Sequence, residues 1–199
     1  MNRRVVAVVT VAAAVLLLGG CRGDAASRVG MAGSSDGATS SDIDALPPCP
    51  ELPRVAPRAD GLPADELPCL GAGPALRLSD LRGTPMVLNL WAAWCTNCDA
   101  EMPLFAEVQA QTGERVRFFG VHYKAPRAYG LRSAADFGVP FPSVHDADGD
   151  LIAAALHAVG PPQTFFVTAD GRIAGREIGE ITSADELSAL IEEHLGVRV

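Results

Sequence analysis

Several things are scarce in this chain, and each shortage excludes a class of protein. Cysteine is scarce: five in 199 residues, far below the density of a disulfide scaffold. No apolar run reaches the roughly 20 residues a membrane-crossing helix needs. The run from Val5 to Leu18, broken only by Thr10, falls short of it. No segment recurs at solenoid spacing, so a repeat array is excluded. Charged residues make up only 20%, the net charge is −8, and the basic ones are scattered. That argues against a nucleic-acid partner. The turn His145-Asp146-Ala147-Asp148-Gly149-Asp150 lacks the Glu that would complete a calcium loop. It reads as a polar turn. His122, His157 and His194 are not at ligand spacing, and no metal site is expected. What is abundant is hydrophobic residue, 48%, enough for the core of one or two domains.

The apolar residues are unevenly placed. Arg3 and Arg4 lead into Val5–Leu18, and small residues follow. A basic start with a short apolar stretch describes an export signal. Leu18-Gly19-Gly20-Cys21 resembles a bacterial lipobox. The resemblance implies a signal peptide over 1–20, cleaved before Cys21, with the Cys21 thiol lipidated. Within residues 21–46, 19 of the 25 residues from Arg22 to Leu46 are Gly, Ser, Ala, Asp or Thr. Such a stretch cannot offset its ordering entropy. It reads as a tether spanning roughly 25–30 Å. The expected location is therefore the outer face of the bacterial cytoplasmic membrane.

Export permits disulfides. Beyond Cys21 four cysteines remain, and four allow three connectivities. Cys95 and Cys98 stand as C-x-x-C and can pair, which leaves Cys49 with Cys69. Between these lie Pro50, Pro53, Pro57, Pro63 and Pro68, with no helical or strand period. Residues 47–74 thus read as a Pro-rich lead-in stapled by Cys49–Cys69. The rival is that one of this pair is a third redox thiol relaying to the C-x-x-C. Their Pro and Leu neighbours offer nothing to favour a thiolate.

Residues 75–199 carry regular structure. Met86–Trp91 is a nearly continuous apolar run and fits a buried central strand. Cys98–Gln111 reads as a helix, Arg115–His122 as a strand, and Ala125–Phe137 as a helix. A strand over Phe141–His145, a helix over Asp150–Val159 and a strand over Gln163–Thr168 follow. Asp170-Gly171 turns the chain into a partner strand, Arg172–Ile178. Ser183 with Glu186 predicts a capping box for a final helix to Leu195. Strand–helix alternation followed by a hairpin predicts an α/β fold. Its central β-sheet would be mixed, with helices on both faces.

Trp94-Cys95-Thr96-Asn97-Cys98 sits between the central strand and the first helix. Cys95 at a helix N-terminus faces unpaired N–H groups that favour a thiolate. Cys98, one turn in, would be shielded yet near enough to attack a mixed disulfide. Exchange needs that asymmetry.

Asn89 to Pro103 (Asn-Leu-Trp-Ala-Ala-Trp-Cys-Thr-Asn-Cys-Asp-Ala-Glu-Met-Pro) resembles the active-site segment of the TlpA/ResA-like thiol-disulfide oxidoreductases of the thioredoxin superfamily. Leu78-Ser79-Asp80-Leu81-Arg82-Gly83, Gly160-Pro161-Pro162-Gln163-Thr164-Phe165-Phe166 and Ala169-Asp170-Gly171-Arg172-Ile173 resemble further segments of that family. The resemblance covers roughly 76–195 and implies a thioredoxin-like fold. It implies Cys95 as attacking thiol, Cys98 as resolving thiol, Glu101 in proton handling, and Pro162 as the cis-proline. Trp94, Pro161 and Pro162 would dock the substrate, a protein thiol or disulfide. No cofactor is implied beyond the redox-active Cys95–Cys98 pair. The remaining partners implied are a membrane electron donor or acceptor and the membrane itself, for a monomer. The family's usual task is reductive, often in cytochrome c assembly; an oxidising role is the alternative. A copper-handling thioredoxin-like module is a further one, since thiolates suit Cu(I), but such carriers use a wider Cys spacing and a downstream His. A peroxidase reading lacks a lone Cys after a Thr at a helix start.

Two departures matter. Thr96-Asn97 between the cysteines contains neither Pro nor Gly, so the family's redox potential does not transfer. Pro161 has no N–H to offer a bound polypeptide. Asn89 stands near where cytoplasmic thioredoxins carry a buried Asp. It cannot act as a base, which places more weight on Glu101.

Overall fold

A computed structural model of the chain describes residues 43–139 and 141–199. The expected signal, Cys21 and nearly all of the tether lie outside the described residues. Among the described residues seven strands are present: β1 (Glu66–Leu67), β2 (Leu76–Arg77), β3 (Met86–Trp91), β4 (Arg117–Tyr123), β5 (Ser143–Asp146), β6 (Gln163–Val167) and β7 (Ile173–Ile178). Four α-helices lie wholly within the described residues: α1 (Thr96–Thr112), α2 (Arg127–Phe137), α3 (Asp150–Leu156) and α4 (Ala184–Leu195). None is long and apolar enough to cross a membrane.

Every residue of β3 is buried, as a strand covered on both faces must be. It pairs in parallel with β4 and antiparallel with β6. The five-stranded order is β5-β4-β3-β6-β7, and β1-β2 form a separate pair. The mixed sheet and the terminal hairpin agree with the sequence pattern.

Alternation along the strands divides the core in two. Val87, Trp91, Phe118 and Phe166 face one layer, with Phe105 of α1, Leu131 of α2 and Leu187 of α4. Leu88, Leu90, Phe119 and Phe165 face the other, with Ile152 of α3 and Leu62 and Leu67 of the lead-in. Helices therefore cover both faces, but on the second most of the cover is the Pro-rich segment.

That segment is bound more widely than by its staple. The Val55 amide donates to Asp80 Oδ1 at 3.0 Å, and Arg77 Nη2 donates to the Val55 carbonyl at 3.1 Å. Cys69 bridges to Val144 and Gly61 to Arg172, so both sheet edges are partly paired. The tether expected through Leu46 also ends earlier. Leu46 is 3% exposed, and Ile43 packs on the same core. Two apolar residues at the end of a polar stretch left no periodicity to read.

Two smaller expectations change. The helix expected through Val159 stops at Leu156, where His157 turns to φ 51°. The Arg176 guanidinium binds the freed Leu156 and His157 carbonyls at 3.0 and 3.4 Å. The capping box at α4 is half formed. Ser183 Oγ accepts from the Glu186 amide, while the Glu186 carboxylate accepts chiefly from the Thr182 amide and hydroxyl. In the turn after β5, Asp146 accepts from the Gly149 and Ile152 amides.

A Cβ on Gly130 would lie 2.6 Å from the His122 ring. In an open helix Gly→Ala stabilises by about 1 kcal/mol. Here the sign reverses, and Gly130→Ala is expected to cost about 1–3 kcal/mol through overpacking. Urea denaturation checks this, and an unchanged midpoint would refute it.

Candidate active site

The site is built at the carboxyl end of β3, where the chain turns into α1. Cys95 is the N-cap of α1, with its own carbonyl accepting from the Cys98 amide at 3.1 Å. Its sulfur also lies 3.2 Å from that amide. The two sulfurs are bonded, as Cys95–Cys98. Cys95 is 7% exposed and Cys98 is sealed at 0%. Cys98 is thus closed to solvent, while Cys95 keeps a small opening. The opening amides and dipole of α1 favour negative charge on the Cys95 sulfur once the bond is reduced.

Glu101 lies one turn further along α1 and is fully buried. Its Oε1 accepts from the Ile181 amide at 2.7 Å, and its Oε2 from Asn89 Nδ2 at 3.4 Å. Asn89 Nδ2 also reaches Thr164 Oγ1, while Asn89 Oδ1 has no partner. Burial pushes the Glu101 carboxyl up to about 7, against the two hydrogen bonds that favour its charged form. A carboxyl poised near neutrality beside a dithiol can take or give a proton at working pH.

Pro162 is buried, and the Pro161–Pro162 peptide bond is cis. β6 begins at Gln163, opposite Leu90 of β3, so the prolines flank the end of β3 that leads into the motif. The Pro162 carbonyl accepts from the Gly179 amide at 3.0 Å. Pro161 is half-buried, and Gln163 Nε2 fastens the loop by donating to the Gly160 carbonyl at 2.7 Å. Trp94 is 56% exposed, with its indole N–H on the Lys124 carbonyl at 2.9 Å.

The second disulfide joins Cys49 to Cys69. Both sulfurs lie against the Ser143 carbonyl, at 3.5 and 3.6 Å. Ser143 Oγ accepts from Trp91 Nε1 at 3.3 Å. The lead-in thus reaches the strand that presents the motif through Ser143 of β5. Behind Trp91, His122 and His145 place their Nδ1 atoms 3.0 Å apart. Burial, and then His145, hold the His122 ring down to about 3, so it is neutral. Strand spacing hid this pair, because β4 and β5 are joined only through α2. Among the described residues no group of three or more His, Cys, Asp or Glu could hold a metal ion.

Residues 59–176 match the AhpC/TSA family. The chain belongs to that family. Within it, the chain is 37% identical over 131 residues to the thiol:disulfide interchange protein DsbE of Pseudomonas fluorescens biotype C. That match covers 64% of this chain and 71% of the relative. It is 34% identical over 121 residues to the thiol-disulfide oxidoreductase ResA of Geobacillus kaustophilus, covering 60% and 66%. A secreted Mycobacterium tuberculosis disulfide oxidoreductase superposes with TM-score 0.55 at 29% identity, covering 65% of this chain and 96% of that one. This AhpC/TSA member is a thiol-disulfide oxidoreductase of the DsbE and ResA type, on a thioredoxin-like fold.

Proposed function

We propose that this oxidoreductase works outside the cytoplasm, tethered to the membrane through Cys21, and exchanges dithiol for disulfide with exported proteins at Cys95-Thr96-Asn97-Cys98. The observation that carries this reading is the bonded Cys95–Cys98 pair opening a helix, with Cys95 as its N-cap and Cys98 sealed one turn in. The Cys49–Cys69 staple fits an oxidising compartment.

In the reductive direction the Cys95 thiolate attacks one sulfur of a substrate disulfide. A Cys95–substrate bond forms, and the other substrate sulfur leaves and takes a proton. The Cys98 thiol then gives its proton to Glu101 and attacks Cys95. The Cys95–substrate bond breaks, the departing substrate sulfur takes that proton from Glu101, and the substrate leaves as a dithiol while the Cys95–Cys98 disulfide holds the oxidation. Two electrons have moved, and a membrane donor returns them. We place the protein in this direction, of the cytochrome c maturation kind, on the family resemblance.

A Cys98→Ser variant is expected to accumulate a mixed disulfide with a substrate peptide, and Cys95→Ser to form none. Trapping on both alike would overturn the assignment. The reduction potential tests direction: near −270 mV supports a reductant, near −120 mV an oxidant. Pro161→Ala restores an amide to the docking loop. It is expected to tighten a trapped peptide about fivefold, the worth of one hydrogen bond. Unchanged affinity by titration calorimetry would remove Pro161 from the docking account.

A further inference from the structure

Beside the site lies a cavity of about 370 Å³ that the exchange chemistry does not use. Its walls include Trp94, Lys124, Pro126, Tyr129, Arg132 and Asp136. Its surface is mostly apolar, and two rings stand open on it: Trp94 at 56% and Tyr129 at 58% exposed. Among the described residues neither Lys124 nor Arg132 forms an ion pair, so two cations face the single Asp136 at its rim.

Strand order fixes where this cavity lies. β4 and β6 flank β3 on opposite sides. The prolines precede β6, and Lys124 to Pro126 follow β4. The cavity is therefore on the side of Cys95 away from Pro161–Pro162. A polypeptide that crosses Cys95 from the proline side continues onto it. Trp94 is one residue from Cys95, and an extended chain advances about 3.3 Å per residue. A side chain two or three positions from the attacked cysteine can reach it. The proline side offers one main-chain donor fewer, since Pro161 has no N–H.

We propose that this cavity is a specificity pocket for an aromatic side chain of the substrate polypeptide, two or three residues from its reactive cysteine. The volume suits one ring. Trp94 and Tyr129 offer ring faces and edges to it, and Lys124 and Arg132 can sit over its face. The two cations also favour an acidic neighbour on the substrate. The proposal rests on the dithiol-exchange reading above and names the substrate feature that reading leaves open.

The test uses the reduced protein in single turnover against two synthetic peptides. Each holds an intramolecular disulfide; one carries Phe, the other Ala, two residues from the attacked cysteine. The Phe peptide is expected to react about tenfold better at low concentration, from burial of one ring. In Tyr129→Ser that ratio should fall toward one. Tyr129 is largely in solvent, so the variant is expected to fold, and circular dichroism verifies it. As a second measurement, a cysteine-free Phe peptide should shift the emission of Trp94, the exposed one of two tryptophans. Equal rates for the two peptides, or a preference that survives in Tyr129→Ser, would overturn the pocket. Failure of the reduced wild type to react with a small disulfide such as oxidised glutathione would overturn the exchange reading itself.

Discussion

Glu101→Gln is expected to make the oxidised protein more stable at pH 8 by about 3 kcal/mol, while slowing thiol exchange. The stability gain follows from titration. In the folded protein the carboxyl ionises near 7, against an ordinary value of 4.5. Below 4.5 the group is neutral whether the chain is folded or not, and titration costs nothing. Between 4.5 and 7 the unfolded chain ionises and the folded one does not, so stability falls as pH rises. Above 7 the loss is complete, about 3 kcal/mol at about 1.4 kcal/mol per pH unit. Gln cannot ionise and escapes that loss.

The surroundings of Glu101 accept the change. Gln Oε1 can keep the Ile181 amide, and its Nε2 needs an acceptor where Asn89 Nδ2 now donates. Asn89 Oδ1 is buried without a partner, and an amide flip presents it. Exchange should suffer because Gln can take no proton from Cys98. A lost general base costs about 100-fold or more. The wild-type rate profile should carry a limb with an apparent pKa near 7 that the variant lacks. Urea unfolding from pH 4 to 8 checks the first half, and parallel stability curves would refute it. A retained limb would remove Glu101 from proton handling.

Local pattern carried much of this molecule into legibility. β3 was readable because six buried residues leave an apolar run, and the C-x-x-C because the same run ends in it. The asymmetry of Cys95 and Cys98 follows from helix position alone. What was not legible depends on distant chain. Glu101 owes its anchoring to Ile181, 80 residues away, and no spacing announces a backbone amide. The His122–His145 pair arises only when β4 and β5 align. Tyr129 and Lys124 are unremarkable in sequence and become cavity walls because α2 returns beside Trp94. Leu46 shows the converse, a core residue masked by polar neighbours. The lead-in read as irregular and is irregular. Its order comes from donors such as Arg77 and from pairing at both sheet edges, which composition does not encode.

Replacing both Cys49 and Cys69 with Ala is expected to lower stability by about 3 kcal/mol, with exchange at Cys95–Cys98 retained. The two cysteines are 20 residues apart, and closing a loop of that size removes about that much free energy from the unfolded chain. For a domain of this size the melting temperature should fall by about 10 °C. Packing sets a lower limit on what remains. Leu46, Leu62, Leu67 and Leu70 stay buried, and Asp80 still receives the Val55 amide, so the lead-in should loosen without leaving the sheet. Position also separates the staple from a relay thiol. Cys69 bridges to β5, which is separated from β3 by β4. A relay would have to pass sulfur chemistry across that strand. The double variant distinguishes the two roles in one preparation. A staple lowers the thermal midpoint and leaves single-turnover exchange intact. A relay leaves the midpoint within about 1 kcal/mol and slows re-reduction of Cys95–Cys98. The contact from Ser143 to both sulfurs and to Trp91 adds a refinement. The loss should appear first as faster amide exchange along β5 and at Leu70, whose N–H is bonded to the Ser143 carbonyl at 2.8 Å.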